Sequence, residues 1–180
     1  NTRNGWATPA VVKYEGEVQI ITTASRPEAG NRKTPGKVIS YDLENGNIIW
    51  EYSGLTDNAI PCPIVENGVA YCMTGYLGFS LVAVPISGKG EQSQNILWRR
   101  ELGTPYIPSP ILYDGFLYFT QSNQAILSCV DAKTRKVLME RTRLPGLSNV
   151  YASLVGAGNH IYVVGRYGKT AVLKRTGKFD

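Results

Sequence analysis

Four stretches of this chain follow one order: a short apolar run around a proline or serine, a tight turn, then further apolar runs. The opening members are Thr8-Pro9-Ala10-Val11-Val12, Cys62-Pro63-Ile64-Val65, Ser109-Pro110-Ile111-Leu112 and Ala152-Ser153-Leu154-Val155. With Pro9, Pro63, Pro110 and Ser153 as equivalent positions, the intervals are 54, 47 and 43 residues. An internal repeat constrains a fold more tightly than composition does, because each unit must bury its faces against its neighbours. This spacing suits one four-stranded unit per repeat, at roughly 40–50 residues each. It divides the chain at about 6–53, 59–101, 106–143 and 149–180.

The turn chemistry within each repeat is that of β-hairpins. Glu15-Gly16, Asn67-Gly68, Asp114-Gly115 and Gly158-Asn159 each separate two β-prone runs. Two-residue primed turns need positive φ, which Gly, Asn and Asp tolerate. The flanking runs, such as Val18-Gln19-Ile20-Ile21-Thr22-Thr23 and Phe116-Leu117-Tyr118-Phe119-Thr120, are short and rich in β-branched and aromatic residues. No segment reads as a helix. The predicted class is all-β, and repeated four-stranded units favour a β-propeller over a sandwich, which need not repeat at a fixed period.

The segment joining the third and fourth strands is the most specific. Ser40, Asp42, Gly46 and Trp50 lie within Ser40-Tyr41-Asp42-Leu43-Glu44-Asn45-Gly46-Asn47-Ile48-Ile49-Trp50. This resembles the repeat of quinoprotein dehydrogenase propellers, Ala-x-Asp-x-x-x-Gly-x-x-x-Trp, with Ser40 in place of Ala. The second repeat keeps Ala83 and Trp98, puts Pro85 at the Asp position and is stretched by residues 88–95. The third aligns Cys129, Asp131, Arg135 and Met139. In the fourth, Ala171 and Gly177 match, and the expected Trp falls one residue beyond Asp180. Asp and Gly suit the turn, and the Trp suits packing on the next blade, where its N–H needs a partner.

The resemblance implies a quinoprotein-type β-propeller of about four blades, the last without its outer strand. Such rings commonly have seven or eight blades, so this is about half of one. The repeat pattern breaks off at both ends, which favours a fragment; the alternative is a homodimer whose two halves complete the ring. The superfamily contains dehydrogenases that hold pyrroloquinoline quinone (PQQ) with calcium, and cofactor-free relatives such as a lipoprotein assisting outer-membrane protein assembly. The repeat motif is common to both. The leading expectation is a non-catalytic binding or scaffold domain, periplasmic or secreted, offering a channel and loop face to a protein partner or small ligand. The alternative is a fragment of a PQQ-dependent alcohol or sugar dehydrogenase with its site mainly in other blades. No adjacent cysteines occur, and no catalytic carboxylate or metal ligand can be assigned, since Asp42, Asp114 and Asp131 are read as turn residues.

Other function classes fit less well. The net charge of +5 is scattered, with clusters at Arg32-Lys33, Arg99-Arg100 and residues 133–136, and no nucleic-acid-binding motif accompanies it. No apolar run is long enough to span a membrane. Cys62, Cys72 and Cys129 form no C-x-x-C pair, so zinc and dithiol motifs are excluded. Three buried thiols are the default, and a Cys62–Cys72 disulfide is the alternative. An Asn67-Gly68 turn would place Cys62 opposite Met73 instead. His160 is read as a surface turn residue and Gly168-Lys169-Thr170 as a hairpin turn, since Val163 stands where the first Gly of a phosphate loop belongs. Two insertions remain as polar loops, residues 27–36 and 88–95. Arg32 and Lys33 in the first are the candidate anion contacts, against a reading as solvent-exposed loop charges.

Overall fold

The computed structural model describes residues 4–28, 31 and 33–175, and every regular element among them is a strand. The chain divides into two units, one up to Leu102 and one from Gly103. In the first, β1 (Ala10–Tyr14), β2 (Glu17–Ala24), β3 (Gly36–Asp42) and β4 (Ile48–Leu55) form one antiparallel meander. A second sheet holds β5 (Ile64–Glu66), β6 (Val69–Thr74), β7 (Ser80–Pro85) and β9 (Trp98–Arg100). In the second unit, β10 (Ile111–Tyr113), β11 (Phe116–Thr120), β12 (Ile126–Asp131) and β13 (Val137–Arg143) make the third sheet. A fourth sheet has three strands, β14 (Val155–Ala157), β15 (His160–Val164) and β16 (Thr170–Lys174). Each sheet is one propeller blade.

The hairpins close as their sequences dictate. Glu15, Asn67 and Asp114 take φ of 49°, 50° and 52°, each followed by a glycine at positive φ. That double positive φ is the primed turn whose twist matches the strands it joins. At Gly158-Asn159 only the glycine is left-handed.

The family motif is a turn with internal capping. Asp42 Oδ1 accepts the N–H groups of Glu44 and Asn45, and Gly46 completes the turn at φ 72°. Asp131 does the same with Lys133 and Thr134. The backbone and hydroxyl donors of Thr134, with the N–H of Lys133, hold its carboxyl below the usual range. Arg135 stands at the glycine position with φ 66°, which costs a side-chain-bearing residue about 1 kcal/mol. Arg135→Gly is therefore expected to raise stability by about 0.5–1 kcal/mol, after the added freedom of the unfolded chain is deducted. Urea unfolding at an unchanged m-value checks this.

Two expectations are corrected by register. Residues 88–95 are not loop throughout: Gly90–Glu91 form β8, a fifth strand running parallel to β4, with Trp50 opposite Gly90 and Gln92 N–H bonded to the Glu51 carbonyl at 2.7 Å. The insertion of the second blade thus covers the outer edge of the first, an edge that would otherwise be open to pairing. In the fourth repeat the equivalences slip by one residue. Lys174 pairs His160, and Arg175 N–H reaches the Asn159 carbonyl, as Ile86 N–H reaches Gly68 and Ala132 N–H reaches Gly115. Val172, not Ala171, therefore occupies the place of Ser40, Ala83 and Cys129. Leu154, not Ser153, lines up with the three prolines. Leu173, in the place of Val84 and Val130, is buried as they are, whereas Val172 is exposed where Ser40, Ala83 and Cys129 are buried. Gly177 lies outside the described residues.

Within each unit the two blades share one core. Ile21, Val38, Trp50 and Leu55 of the first blade pack with Ala70, Cys72, Val82 and Val84 of the second. Tyr118, Leu127 and Met139 pack with Leu154, Ile161 and Leu173 in the other unit. A polar link accompanies each apolar contact. Trp50, fully buried, donates Nε1–H to Gln19 Oε1 at 3.1 Å, and Ser40 Oγ donates to the same oxygen at 2.9 Å. Gln19 Nε2 in turn donates to the Ile86 carbonyl of the next blade at 3.2 Å. In the second unit the Tyr118 hydroxyl donates to the carbonyl of Arg175, the position equivalent to Ile86.

Candidate functional site

In an antiparallel blade the first hairpin and the third-to-fourth turn lie at one end. The second-to-third connection and the link to the next blade lie at the other. A cleft of about 380 Å³ opens at this second end of the first unit. Arg26 enters it from the β2–β3 connection, Gly54 and Thr56 from the end of β4, and Leu77, Gly78 and Phe79 from the β6–β7 connection; Glu101, after β9, closes the rim.

The cleft wall is pinned by hydrogen bonds. Thr56 N–H donates to Thr74 Oγ1 at 2.9 Å, and the two hydroxyl oxygens are 2.9 Å apart. Ala59 N–H donates to Ser25 Oγ at 2.8 Å, so residues on both sides of Arg26 and Asp57 are tied together. Leu77 is left-handed at φ 49° and Gly78 lies at φ 130°; a Cβ on Gly78 would meet the Thr56 methyl at 3.1 Å.

Arg26 Nη1 donates to Asp57 Oδ2 at 2.8 Å, with side chains only 9% and 3% exposed. Arg26 Nε is buried with no hydrogen-bond partner. At the rim Arg99 and Glu101 approach to 3.5 Å, both exposed. Opposite charges thus meet in pairs, and no net charge is left in the cleft.

The residues singled out by sequence lie elsewhere. Lys33 is exposed, its N–H bonded to Asn31 Oδ1, and it does not line the cleft; Arg32 lies outside the described residues. His160 opens β15 with its ring 6.3 Å from Tyr162. Gly168, at φ 83°, belongs to a turn in which its N–H reaches the Gly165 carbonyl. Asp42 and Asp131 cap turns, and Asp114 sits in its hairpin, paired with Arg175. Sequence reasoning missed Arg26 and Asp57, each of which reads as a loop charge just past a strand. The available signal was Arg26-Pro27 directly after an apolar run, at a blade end.

The cysteines are thiols, none in a disulfide. Cys72 and Cys129 are buried and Cys62 only partly so, which corrects the expectation of three buried thiols. Burial pushes the Cys72 thiol up to about 12 and Cys129 up to about 11. A thiol whose folded pKa exceeds its unfolded value, near 8.5, keeps its stabilising contribution below that value and loses it as pH rises. The urea midpoint is therefore expected to fall between pH 8.5 and 10, below the range where tyrosines titrate. The Cys72→Ala, Cys129→Ala double variant, although less stable at pH 7, should show a much flatter profile in that window.

A family model described as outer membrane protein assembly factor BamB matches residues 4–141. The chain belongs to this PQQ-repeat family. Among solved structures it is similar to BamB from Moraxella catarrhalis, with TM-score 0.59 and 16% identity over 94% of this chain and 49% of that one. It is also similar to quinohemoprotein alcohol dehydrogenase from Comamonas testosteroni, with TM-score 0.62 and 16% identity over 99% and 34%. The computationally designed Ika4 protein matches with TM-score 0.58 and 12% identity over 95% and 93%. The chain spans about half the length of the BamB chain and a third of the dehydrogenase. Among curated proteins no sequence match is found. These likenesses establish the PQQ-repeat β-propeller fold; at such identities they carry no activity with them.

Proposed function

We propose that this chain is a non-catalytic binding module of an extracytoplasmic propeller, presenting the loop end of its first two blades to a protein partner or small ligand. The observation that supports this most directly is the pairing of the cleft's ionisable groups. Arg26 with Asp57 and Arg99 with Glu101 form ion pairs, so neither cleft carboxylate stands ready as a general base. The similarity to an outer-membrane assembly factor supports an address outside the cytoplasm and a protein partner.

The dehydrogenase reading asks for a carboxylate base and a carboxylate–amide set for calcium. Among the described residues no three His, Cys, Asp or Glu side chains come together as a metal site. Titrating the chain with PQQ and calcium chloride, followed by quinone absorbance, is expected to give no saturable change; a saturable one overturns the non-catalytic reading. Light scattering tests the partner separately: a species near twice 19.7 kDa makes a second copy of the chain the partner.

A further inference from the structure

Residues 103–180 carry ten Lys and Arg against four Asp and Glu, so the positive excess of the chain belongs to the second unit. Among the described residues its carboxylates are Asp114, Asp131 and Glu140. Asp114 and Asp131 sit in turns at the end that carries the first hairpins, and Glu140 lies midway along β13. The opposite end, where the β15–β16 connection and the close of β13 lie, holds Arg141, Arg143, Arg166 and Lys169, with no carboxylate of its own. In the first unit the same end is balanced by ion pairs.

Arg166 is singled out within that end by its neighbours. Its guanidinium carbon lies 5.3 Å from the Tyr151 ring centroid and 5.9 Å from that of Tyr167, inside the range of cation–π attraction. Tyr151 is 42% exposed and Tyr167 76%, the most exposed large apolar side chain among the described residues. The backbone that carries them is fixed. Arg166 N–H donates to the Asn149 carbonyl at 2.9 Å, Val150 bridges Gly165, and Gly165 N–H donates to the Lys169 carbonyl at 2.8 Å. Leu147 and Val150 anchor this link in the core. Among the described residues the Arg166 side chain has no hydrogen-bond or ion-pair partner, so solvent alone satisfies its donors.

Charge and shape select what such a surface receives. The planar fork matches the two oxygens of a carboxylate. Stacking already restricts the rotamers that binding would otherwise have to freeze. Tyrosine and arginine are also the residues that carry most of the energy at protein interfaces. A lipid surface is read by dense runs of Lys and Arg beside an inserting apolar face; here the basic residues are divided between β13 and one turn, and both rings are tyrosines.

We propose that Tyr151, Arg166 and Tyr167 form a docking surface for an acidic segment of a protein partner. One Asp or Glu carboxylate is received by the Arg166 guanidinium, and an adjacent apolar side chain rests on the Tyr167 ring. Arg143 and Lys169 add a longer-range attraction that salt screens. The surface lies beyond residues 4–141, where the family model matches, and outside the first two blades. It extends the binding-module reading and rests on its protein-partner arm.

The probe is the acetylated, amidated pentapeptide Glu-Leu-Glu-Leu-Glu, compared with Gln-Leu-Gln-Leu-Gln and with vesicles of phosphatidylcholine and phosphatidylglycerol. Nitrogen–proton correlation spectra of the full chain report the Arg166 Nε–H, assigned by its loss in Arg166→Lys, and the amides of Tyr151 and Tyr167. The expected result is a saturable shift with the acidic peptide, weakened by added sodium chloride, and little with the glutamine peptide. Arg166→Lys keeps the charge but loses the stacked planar fork, and should weaken binding about tenfold. Tyr167→Ala should weaken it by a similar factor, read from the Tyr151 amide. Lys13→Gln, on exposed β1, removes a charge elsewhere and should leave binding unchanged. Undiminished binding by Arg166→Lys overturns the docking geometry, and an equal response to the glutamine peptide overturns the acidic assignment. Silence to both peptides overturns the proposal outright, and vesicle binding without peptide binding gives the surface to a membrane. None of these results bears on quinone binding, so failure of the non-catalytic reading is read separately in the PQQ titration.

Discussion

Replacing Gln19 by leucine is expected to destabilise the chain by about 4 kcal/mol, because one side chain satisfies three buried groups at once. The Trp50 indole N–H and the Ser40 hydroxyl both donate to Gln19 Oε1, and the Ile86 carbonyl accepts from its Nε2. Leucine keeps most of the volume and leaves all three unpaired, each at about 1–3 kcal/mol less whatever water recovers. The third blade shows what the loss would need as compensation. Register places Phe116 opposite Asp131, as Gln19 lies opposite Asp42, and Met139 opposite Cys129, as Trp50 lies opposite Ser40. There the whole set has become apolar or weakly polar, and Tyr118 takes over the bond to the next blade. The triple change Gln19→Leu, Ser40→Ala, Trp50→Phe should therefore recover part of the loss, although Ile86 stays unpaired. Urea unfolding followed by tryptophan fluorescence decides the single variant. A cost below about 1 kcal/mol would mean that the network is idle.

That network also marks the limit of what the sequence reveals. Repeat spacing, hairpin turns and the Asp-Gly-Trp segment are local, and each is set by residues a few positions apart. They were legible because turn chemistry and strand alternation leave a periodic trace. Gln19 left none: a polar residue in a strand reads as solvent-facing, and only the pairing of β2 with β3 puts it over Trp50. Residues 88–95 read as a loop because β8 is two residues long and gains its partner from the preceding blade. The slip in the fourth repeat arose because Ala171 matches the motif by residue type, whereas burial of Leu173 fixes the register. The site was the least legible part. Arg32-Lys33 stood out as a charge pair, but Arg26 and Asp57 lie 31 residues apart and meet only where two blades join.

Breaking that meeting is expected to cost nearly as much as losing Gln19. Asp57→Leu leaves the Arg26 guanidinium buried without its counter-charge, and Arg26→Met leaves the Asp57 carboxylate buried; each should destabilise by about 3–5 kcal/mol. The double variant should lose at least 2 kcal/mol less than the sum, because two apolar side chains of similar volume need no desolvation. A sum that is strictly additive would mean that the pair, despite its 2.8 Å separation, contributes no coupling.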